Sequence, residues 1–176
     1  MSEPFAAFGA RPRVARVLAV CSGNVCRSPV MERLLRLGLA RAGLDGIAVD
    51  SAGTRALVGN DMEPGSRALL IARGADAENF RSTSIDDLEL EHYDLILTAS
   101  EAHRAAVVER APAMLSRTFP LRRFRPAVRT GAAATDHGAD DAIVDPYRQP
   151  PERYHLMERQ IVPAVHAVVT YLEQQE

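Results

Sequence analysis

A short apolar run ends in a glycine-containing loop, and a Ser-Pro pair suited to a helix start follows at once. Residues 14–20 are mostly apolar and rich in valine, and the next eight residues read CSGNVCRS. Ser28 is a good helix N-cap, Pro29 suits the first helical position, and apolar residues then recur at roughly helical spacing. A buried strand, a loop and a helix in series predict the start of a parallel α/β fold.

The same alternation continues along the chain. Residues 47–49 and 94–98 read as further strands, and residues 65–73, 101–110 and 150–173 as helices. Gly74 should stop the first of these helices, and Pro163 could bend the last. Strands that alternate with helices predict a doubly wound parallel sheet with helices on both faces, whose ligand site lies beyond the carboxyl ends of the strands.

Length and composition favour one globular domain. The 176 residues are 47% hydrophobic and 25% charged, and we predict a flexible leader at 1–12 followed by a single domain at 13–176. A net charge of −2 gives no general electrostatic reason to expect nucleic acid or an anionic membrane as a partner. The apolar stretch 161–172 is well short of the roughly 20 residues that span a bilayer, and the leader lacks a signal-peptide core.

The two cysteines cannot form a disulfide framework, and a cytoplasmic location, which we predict, would keep them as thiols. The five histidines are dispersed, so we interpret them as surface or core residues and predict no metal and no cofactor.

The loop CSGNVCRS has the composition of a cradle for a phosphate dianion. Backbone N–H groups of six successive residues can converge on phosphate oxygens, and the following helix N-terminus adds positive potential. Gly23 and Asn24 are expected at the positive φ values that such a cradle needs. The six residues are Ser22, Gly23, Asn24, Val25, Cys26 and Arg27.

Three side chains of this loop predict phosphoryl-transfer chemistry. Arg27 offers a planar fork that can hold two equatorial oxygens of a transferring phosphoryl group. The helix N-terminus and the guanidinium favour a thiolate at Cys21, which would then be a nucleophile. Ser28 can donate a hydrogen bond to that thiolate.

The frame CSGNVCRSP resembles the signature loop of the low-molecular-weight protein tyrosine phosphatases of bacterial type. The resemblance implies a three-layer, doubly wound α/β fold with a four-stranded parallel sheet and helices on both faces. It also implies a phosphatase domain that needs no metal. Its substrate would be a phosphorylated protein, and a bacterial tyrosine kinase is a partner suggested by family analogy.

Two later segments extend the resemblance over most of the chain. Asp145, Pro146 and Tyr147 match a late Asp-Pro-aromatic segment, which implies that Asp145 is the general acid. Pro146 biases Asp145 away from helix, so its carboxylate can project from a loop; Asp140 and Asp141 are the alternatives. The segment 51–54 matches a Ser-Ala-Gly-Thr segment, and the family implies that Asn24 and Ser51 brace the loop.

The rim of the expected cleft departs from many family members. Leu57 stands near the position of an aromatic residue, Phe80 near that of a bracing histidine, and Arg148 follows Tyr147 where many relatives have another aromatic residue or glycine. An apolar Val25 resembles the phosphotyrosine branch, whereas arginine-phosphate phosphatases tend to have threonine there.

Cys26 has two interpretations. In the family, a second cysteine at this spacing can form a reversible disulfide with the nucleophile and so protect it from irreversible oxidation. A buried small residue is the other interpretation, and the sequence does not decide between them.

Two other functions use the same loop. Arsenate reduction with an external small thiol would need only Cys21, and a non-catalytic phosphate-binding module would need only the cradle. The chemical groups at Cys21, Arg27, Ser28 and Asp145 exceed what anion binding requires, so we favour the phosphatase.

Two further segments carry weaker predictions. Residues 131–141 are small and suggest a mobile loop. A cluster of arginines before it could attract an acidic protein surface or simply face water. The cluster comprises Arg117, Arg122, Arg123, Arg125 and Arg129.

Overall fold

The computed structural model describes residues 13–124 and 141–175. The strands are β1 (Arg16–Cys21), β2 (Ala48–Gly53), β3 (Leu95–Thr98) and β4 (Thr118–Pro120). The α-helices are α1 (Arg27–Arg41), α2 (Pro64–Ala72), α3 (Glu101–Arg110) and α4 (Pro151–Glu173). The predicted leader and nearly all of segment 131–141 lie outside the described residues, as do Asp140, Arg125 and Arg129, so the predictions made for them stay predictions.

The four strands form one parallel sheet in the order β2-β1-β3-β4. Alternate side chains of β1 point to opposite faces, as the strand geometry requires. Val17 and Ala19 lie in a core formed with α1, α2 and α4. Leu18 and Val20 lie in a second core, which α3 covers with the short 3₁₀ turns around it. The predicted three-layer, doubly wound α/β fold is therefore confirmed.

Most predicted elements are present, with boundaries that differ by a few residues. Helix α3 has the predicted bounds, and its Ser100 side chain caps it by accepting the His103 N–H. Helix α2 ends at Ala72, and Gly74 follows at φ 73°, as expected of a helix stop. Pro163 lies inside α4, and its bend stays a prediction.

One strand is longer than predicted, and another was not predicted at all. Strand β2 continues from Ala48 through Gly53, beyond the predicted 47–49, because Ser51 and Ala52 pair with β1 despite their low strand propensity. Strand β4 was not recognised in the sequence because it has only three residues and includes Pro120. It lies at the edge of the sheet, where a proline is tolerated.

Among the described residues, no helix is both long enough and apolar enough to cross a membrane.

Candidate active site

The loop between β1 and α1, here called the signature loop (residues 21–28), joins the sheet to a helix N-terminus. Cys21 is the last residue of β1 and Arg27 is the first residue of α1. Asn24 adopts the expected positive φ, at 55°, but Gly23 does not, so the prediction for Gly23 was wrong. The turn takes its left-handed residue at Asn24, a residue type that tolerates this region.

Ser28 does not cap helix α1, contrary to the prediction. The helix begins at Arg27 after Cys26, and no side chain caps it. The Ser28 hydroxyl instead lies 3.0 Å from Cys21 Sγ and 3.3 Å from the Ala52 carbonyl oxygen. A hydroxyl that binds the thiol is no longer available to the helix N-terminus, which explains the discrepancy.

Asn24 connects the loop to two other segments by its buried side-chain amide. Its Oδ1 accepts a hydrogen bond from the Thr83 N–H at 2.7 Å. Its Nδ2 donates to Ser28 Oγ at 2.8 Å and to Ser51 Oγ at 2.9 Å. The two residues predicted to brace the loop, Asn24 and Ser51, are therefore in direct contact.

A buried glutamate continues this network. Ser51 Oγ donates to Glu32 Oε2 at 2.5 Å. Glu32 Oε1 lies 2.9 Å from Arg36 Nη2 and 3.3 Å from Arg33 Nε. Burial raises the pKa of Glu32, while the bond from Ser51 and the two guanidinium groups oppose that shift. Phe80, expected near the position of a bracing histidine, is buried, and its ring centroid lies 6.0 Å from Arg33 Cζ.

Gly53, at the end of β2, allows the signature loop to approach the sheet. A Cβ atom at this position would lie 2.3 Å from the Ser22 carbonyl oxygen and 3.0 Å from the Asn24 nitrogen. Both neighbours are backbone atoms, so a larger residue would displace the loop.

Arg27 and Asp145 form an ion pair although 118 residues separate them. Arg27 Nη2 donates to Asp145 Oδ2 at 2.9 Å, and the arginine side chain is 8% exposed against 50% for the aspartate. Asp145 Oδ1 also accepts the Tyr147 N–H at 3.2 Å, which holds the carboxylate in its turn. Asp141, an alternative candidate for the general acid, does not pair with Arg27; its Oδ2 lies 2.5 Å from Arg123 Nε.

A histidine approaches the loop from α3. Ser22 Oγ lies 2.8 Å from His103 Nε2 and 3.4 Å from Arg27 Nη2, and Ser100 Oγ lies 2.7 Å from His103 Nδ1. Burial, followed by the positive charge of Arg27, lowers the pKa of His103 to about 4. The imidazole is therefore neutral at physiological pH.

Residues of the signature loop and Asp145 line one cavity of about 200 Å³. Its walls bring together the signature loop, the aspartate turn and an apolar rim. Leu57 and Tyr147 form the apolar part of the rim, and the Arg148 guanidinium lies 5.1 Å from the Tyr147 ring centroid. The lining residues are Cys21, Ser22, Gly23, Val25, Cys26, Arg27, Arg55, Leu57, Asp145 and Tyr147.

Cys26 is a free thiol, as is Cys21, and both are buried. Burial, then the neighbouring Cys21 and Asp145, raise the pKa of Cys26 to about 12. The Tyr154 hydroxyl opposes this rise in the pKa of Cys26, and Gly65 leaves room for the tyrosine ring. A reversible disulfide between Cys21 and Cys26 under oxidising conditions is untested and stays one of the two interpretations of Cys26.

In the part of the chain that the structure describes, no group of three or more His, Cys, Asp or Glu side chains could hold a metal ion.

Sequence reasoning missed three residues that contact the site or its supports. Glu32 lies on the predicted first helix, with Arg36 at i+4, but its partner Ser51 was not recognisable as a neighbour before the sheet register was known. His103 was interpreted as an ordinary surface or core histidine. Arg55 lines the cavity directly after the matched 51–54 segment, a position that could have indicated it.

A parallel α/β sheet whose first strand ends in a cysteine, with an arginine six residues later that pairs with an aspartate, defines a cysteine-dependent phosphatase. A profile described as low molecular weight phosphotyrosine protein phosphatase matches residues 16–176. The chain therefore belongs to the low-molecular-weight protein tyrosine phosphatase family, as its signature loop predicted, and it is a phosphatase that acts through a nucleophilic cysteine.

The chain is similar to relatives named tyrosine phosphatases and to a relative named an arginine phosphatase. Wzb of Salmonella typhi, named a low molecular weight protein-tyrosine-phosphatase, is 33% identical over 148 residues, 82% of this chain and 87% of that protein. A protein-arginine-phosphatase of Geobacillus stearothermophilus is 31% identical over 139 residues, 79% of this chain and 83% of that protein.

Solved structures give the same two kinds of neighbour. Vibrio vulnificus Wzb in complex with benzylphosphonate is 26% identical with a TM-score of 0.74, covering 90% of this chain and 99% of that one. The YwlE arginine phosphatase from G. stearothermophilus is 27% identical with a TM-score of 0.75, covering 91% and 94%.

Proposed function

We propose that the chain hydrolyses protein phosphotyrosine at this cavity, with Cys21 as nucleophile and Asp145 as general acid. One observation carries the proposal: Cys21, Arg27 and Asp145 line a single cavity of about 200 Å³. A nucleophile, a cation for the phosphoryl group and a carboxylate for the leaving oxygen are the three groups that this reaction needs.

The signature loop binds the phosphoryl group in this proposal. The backbone N–H groups of residues 22–27 and the N-terminus of α1 stabilise the dianion, and Arg27 holds two of its equatorial oxygens. Ser28 donates its hydroxyl proton to the Cys21 thiolate, for which the 3.0 Å separation is suitable. Asn24 and Ser51 keep Ser28 and the loop in place.

The reaction proceeds in two steps. The Cys21 thiolate attacks phosphorus, the bond to the leaving oxygen breaks, and Asp145 gives that oxygen a proton. The resulting Asp145 carboxylate then takes a proton from water, which attacks the cysteinyl-phosphate and releases inorganic phosphate. Asp145 pairs with Arg27 and lines the cavity, and in this proposal the leaving oxygen lies beside it.

Apolar lining favours phosphotyrosine as the substrate. Val25, Leu57 and Tyr147 line the cavity and can contact a flat ring, which adds apolar contact area. A phosphoarginine side chain would place a cationic guanidinium beside these groups. The similarity to named arginine phosphatases keeps phosphoarginine as the second candidate.

Matched substrates and variants test the proposal. We expect metal-independent hydrolysis of phosphotyrosine peptide, with chelator present, that is faster than hydrolysis of the same peptide bearing phosphoarginine. Cys21→Ser should abolish turnover, while the matched control Cys26→Ser should retain most of it. Faster phosphoarginine hydrolysis would reverse the substrate assignment, and full activity in Cys21→Ser would overturn the mechanism.

The same preparations test the two other functions. Thiol-dependent arsenite production without phosphatase activity would indicate the arsenate reductase, and tight phosphate binding without turnover would indicate the binding module. We further propose that the chain acts in the cytoplasm, where reducing conditions keep Cys21 and Cys26 as thiols, and that a bacterial tyrosine kinase is among its substrates.

A further inference from the structure

We propose that Glu32 is a positioning residue that sets the direction of the hydrogen bonds leading to the Cys21 sulfur. This inference rests on the proposed role of Cys21 as nucleophile. Glu32 is buried on α1 and does not line the cavity at the signature loop, so it would act only through the residues between them.

One end of the network is fixed by the backbone. The Thr83 N–H can only donate, so the oxygen of the Asn24 amide must face it, at 2.7 Å. The Nδ2 group of Asn24 then faces the two serine hydroxyls, at 2.8 Å and 2.9 Å. Both of these hydroxyl oxygens have to accept a hydrogen bond from the amide.

The other end is fixed by the carboxylate. An ionised carboxylate can only accept, so Ser51 must donate its own proton to Glu32 Oε2, 2.5 Å away. Contacts of 2.9 Å and 3.3 Å between Oε1 and the guanidinium groups of Arg36 and Arg33 favour the ionised form. The Ser51 oxygen therefore always presents a lone pair to Asn24.

Ser28 completes the network. Its oxygen accepts from Asn24, so its single proton is left for Cys21 Sγ at 3.0 Å or for the Ala52 carbonyl at 3.3 Å. The shorter contact and the negative charge favour the thiolate as the acceptor. Thr83 at one end and Glu32 at the other thus keep the hydrogen bonds in the order that ends with a donor at the nucleophile.

Glutamine at position 32 would remove this constraint without changing the size of the side chain. A glutamine amide can donate to Ser51, and the Ser51 proton could then turn toward the Asn24 amide, where two donors would meet. Asn24 would shift, and the hydrogen bond from Ser28 to the thiolate would weaken.

The reactivity of Cys21 toward iodoacetate measures the thiolate directly, without phosphatase turnover. We expect Glu32→Gln to slow alkylation of Cys21 at pH 6 by about threefold to tenfold, the range for the loss of one hydrogen bond. The control Asp50→Asn removes a charge near Arg36 but leaves the hydrogen bonds of the network intact, and Cys21 should be alkylated at the wild-type rate. Asp50 contacts Arg16, Arg36 and Tyr93.

A double-mutant cycle separates positioning from general damage to the fold. In a Ser28→Ala background the last link is absent, so Glu32→Gln should have no further effect on alkylation of Cys21. Equal effects of Glu32→Gln with and without Ser28 would overturn the proposal, as would a wild-type alkylation rate in the single variant. If Glu32→Gln fails to fold, Ser51→Ala interrupts the same network and must give the same pattern.

The alkylation result is independent of the proposed function. A chain that lacked phosphatase activity would still report whether Glu32 affects the Cys21 sulfur, and an active chain could still show that it does not.

Discussion

Arg27 Nη2 donates a hydrogen bond to Asp145 Oδ2 at 2.9 Å, and both residues line the cavity at the signature loop. The guanidinium that would hold a phosphoryl group and the carboxylate that would protonate the leaving group are thus paired with each other. A phosphate dianion competes with Asp145 for Arg27, so substrate binding would release the carboxylate, which can then take up from water the proton that it gives to the leaving oxygen. The pair also keeps the half-exposed Asp145 side chain in place before substrate arrives.

Asp145→Asn is expected to reduce kcat far more than it reduces phosphate binding. Loss of a general acid typically costs about 10²-fold to 10⁴-fold in rate, and the loss should be largest for phenyl phosphate, whose leaving group needs the proton most. Inhibition by inorganic phosphate should be unchanged or stronger because Arg27 loses its competing partner. Initial rates with phenyl and p-nitrophenyl phosphate check this prediction.

Asp141→Asn is the matched control for that experiment. Asp141 pairs with Arg123 and does not line the cavity, so its replacement should leave kcat close to the wild-type value. A larger loss of kcat in Asp141→Asn than in Asp145→Asn would transfer the general-acid role to Asp141.

Gly53→Ala is expected to destabilise the fold and impair catalysis together. The added methyl group would lie 2.3 Å from the Ser22 carbonyl oxygen, so the signature loop must move away from β2. Overpacking of this kind typically costs about 1–3 kcal/mol in the free energy of unfolding. Urea denaturation and kcat/KM, measured on the same preparations, check both effects.

Gly46 offers a control of the same chemistry. An added Cβ there meets no atom within 4 Å, and the residue does not have positive φ, so Gly46→Ala should be neutral or slightly stabilising. If the two variants unfold at the same urea concentration and turn over equally fast, the loop does not depend on its approach to Gly53.

Cys26 is expected to resist alkylation while Cys21 reacts. Burial and the neighbouring Cys21 and Asp145 raise the pKa of Cys26 to about 12, so at pH 8 only a fraction on the order of 10⁻⁴ is thiolate. Mass spectrometry after brief iodoacetamide treatment at pH 8 should find the label at Cys21. Inorganic phosphate should slow that labelling, and urea should expose both cysteines; preferential labelling of Cys26 in the folded protein would contradict the prediction.

The sequence predicts the elements that carry a strong local pattern. The α3 boundaries are correct because Ser100 provides a cap and the helix lacks internal breakers. Strand β4 was missed because three residues with a proline give no periodicity, and only pairing with β3 defines them as a strand. The assignment of Ser28 as the helix N-cap was wrong because its hydroxyl binds Cys21 in preference to the helix N-terminus.

The same distinction applies to the site. The signature loop is local in sequence, so its residues could be identified from spacing and residue type. Glu32 and His103 reach the loop only through tertiary contacts with Ser51 and Ser22, and neither has a local signal for that contact. The pairing of Arg27 with Asp145 could be expected from the family resemblance but not from spacing alone.

His103 should make the fold less stable as the pH falls from about 6.5 to about 4. Burial and Arg27 lower the pKa of the folded imidazole from 6.5 to about 4, whereas an unfolded histidine takes up a proton near 6.5. Between these values the unfolded state binds more protons, so the free energy of unfolding falls as the pH drops. Urea denaturation at several pH values between 7 and 4.5 measures this dependence.

Protonation of Glu32 changes the free energy of unfolding in the opposite direction in part of this pH range. The pH dependence of the wild-type protein alone therefore does not isolate the contribution of His103. Burial raises the pKa of Glu32, and a folded state that retains a proton becomes less stable as the pH rises above 4.5. The difference between wild type and His103→Gln removes this contribution because Glu32 is present in both.

Wild type should lose stability more steeply than His103→Gln on acidification, by a difference of at most about 1.4 kcal/mol per pH unit for one proton. His155→Gln, a change at an exposed histidine on α4, should follow the wild-type curve. Parallel curves for wild type and His103→Gln would mean that the imidazole is protonated as readily in the folded chain as in the unfolded one, and that its burial beside Arg27 does not govern acid stability.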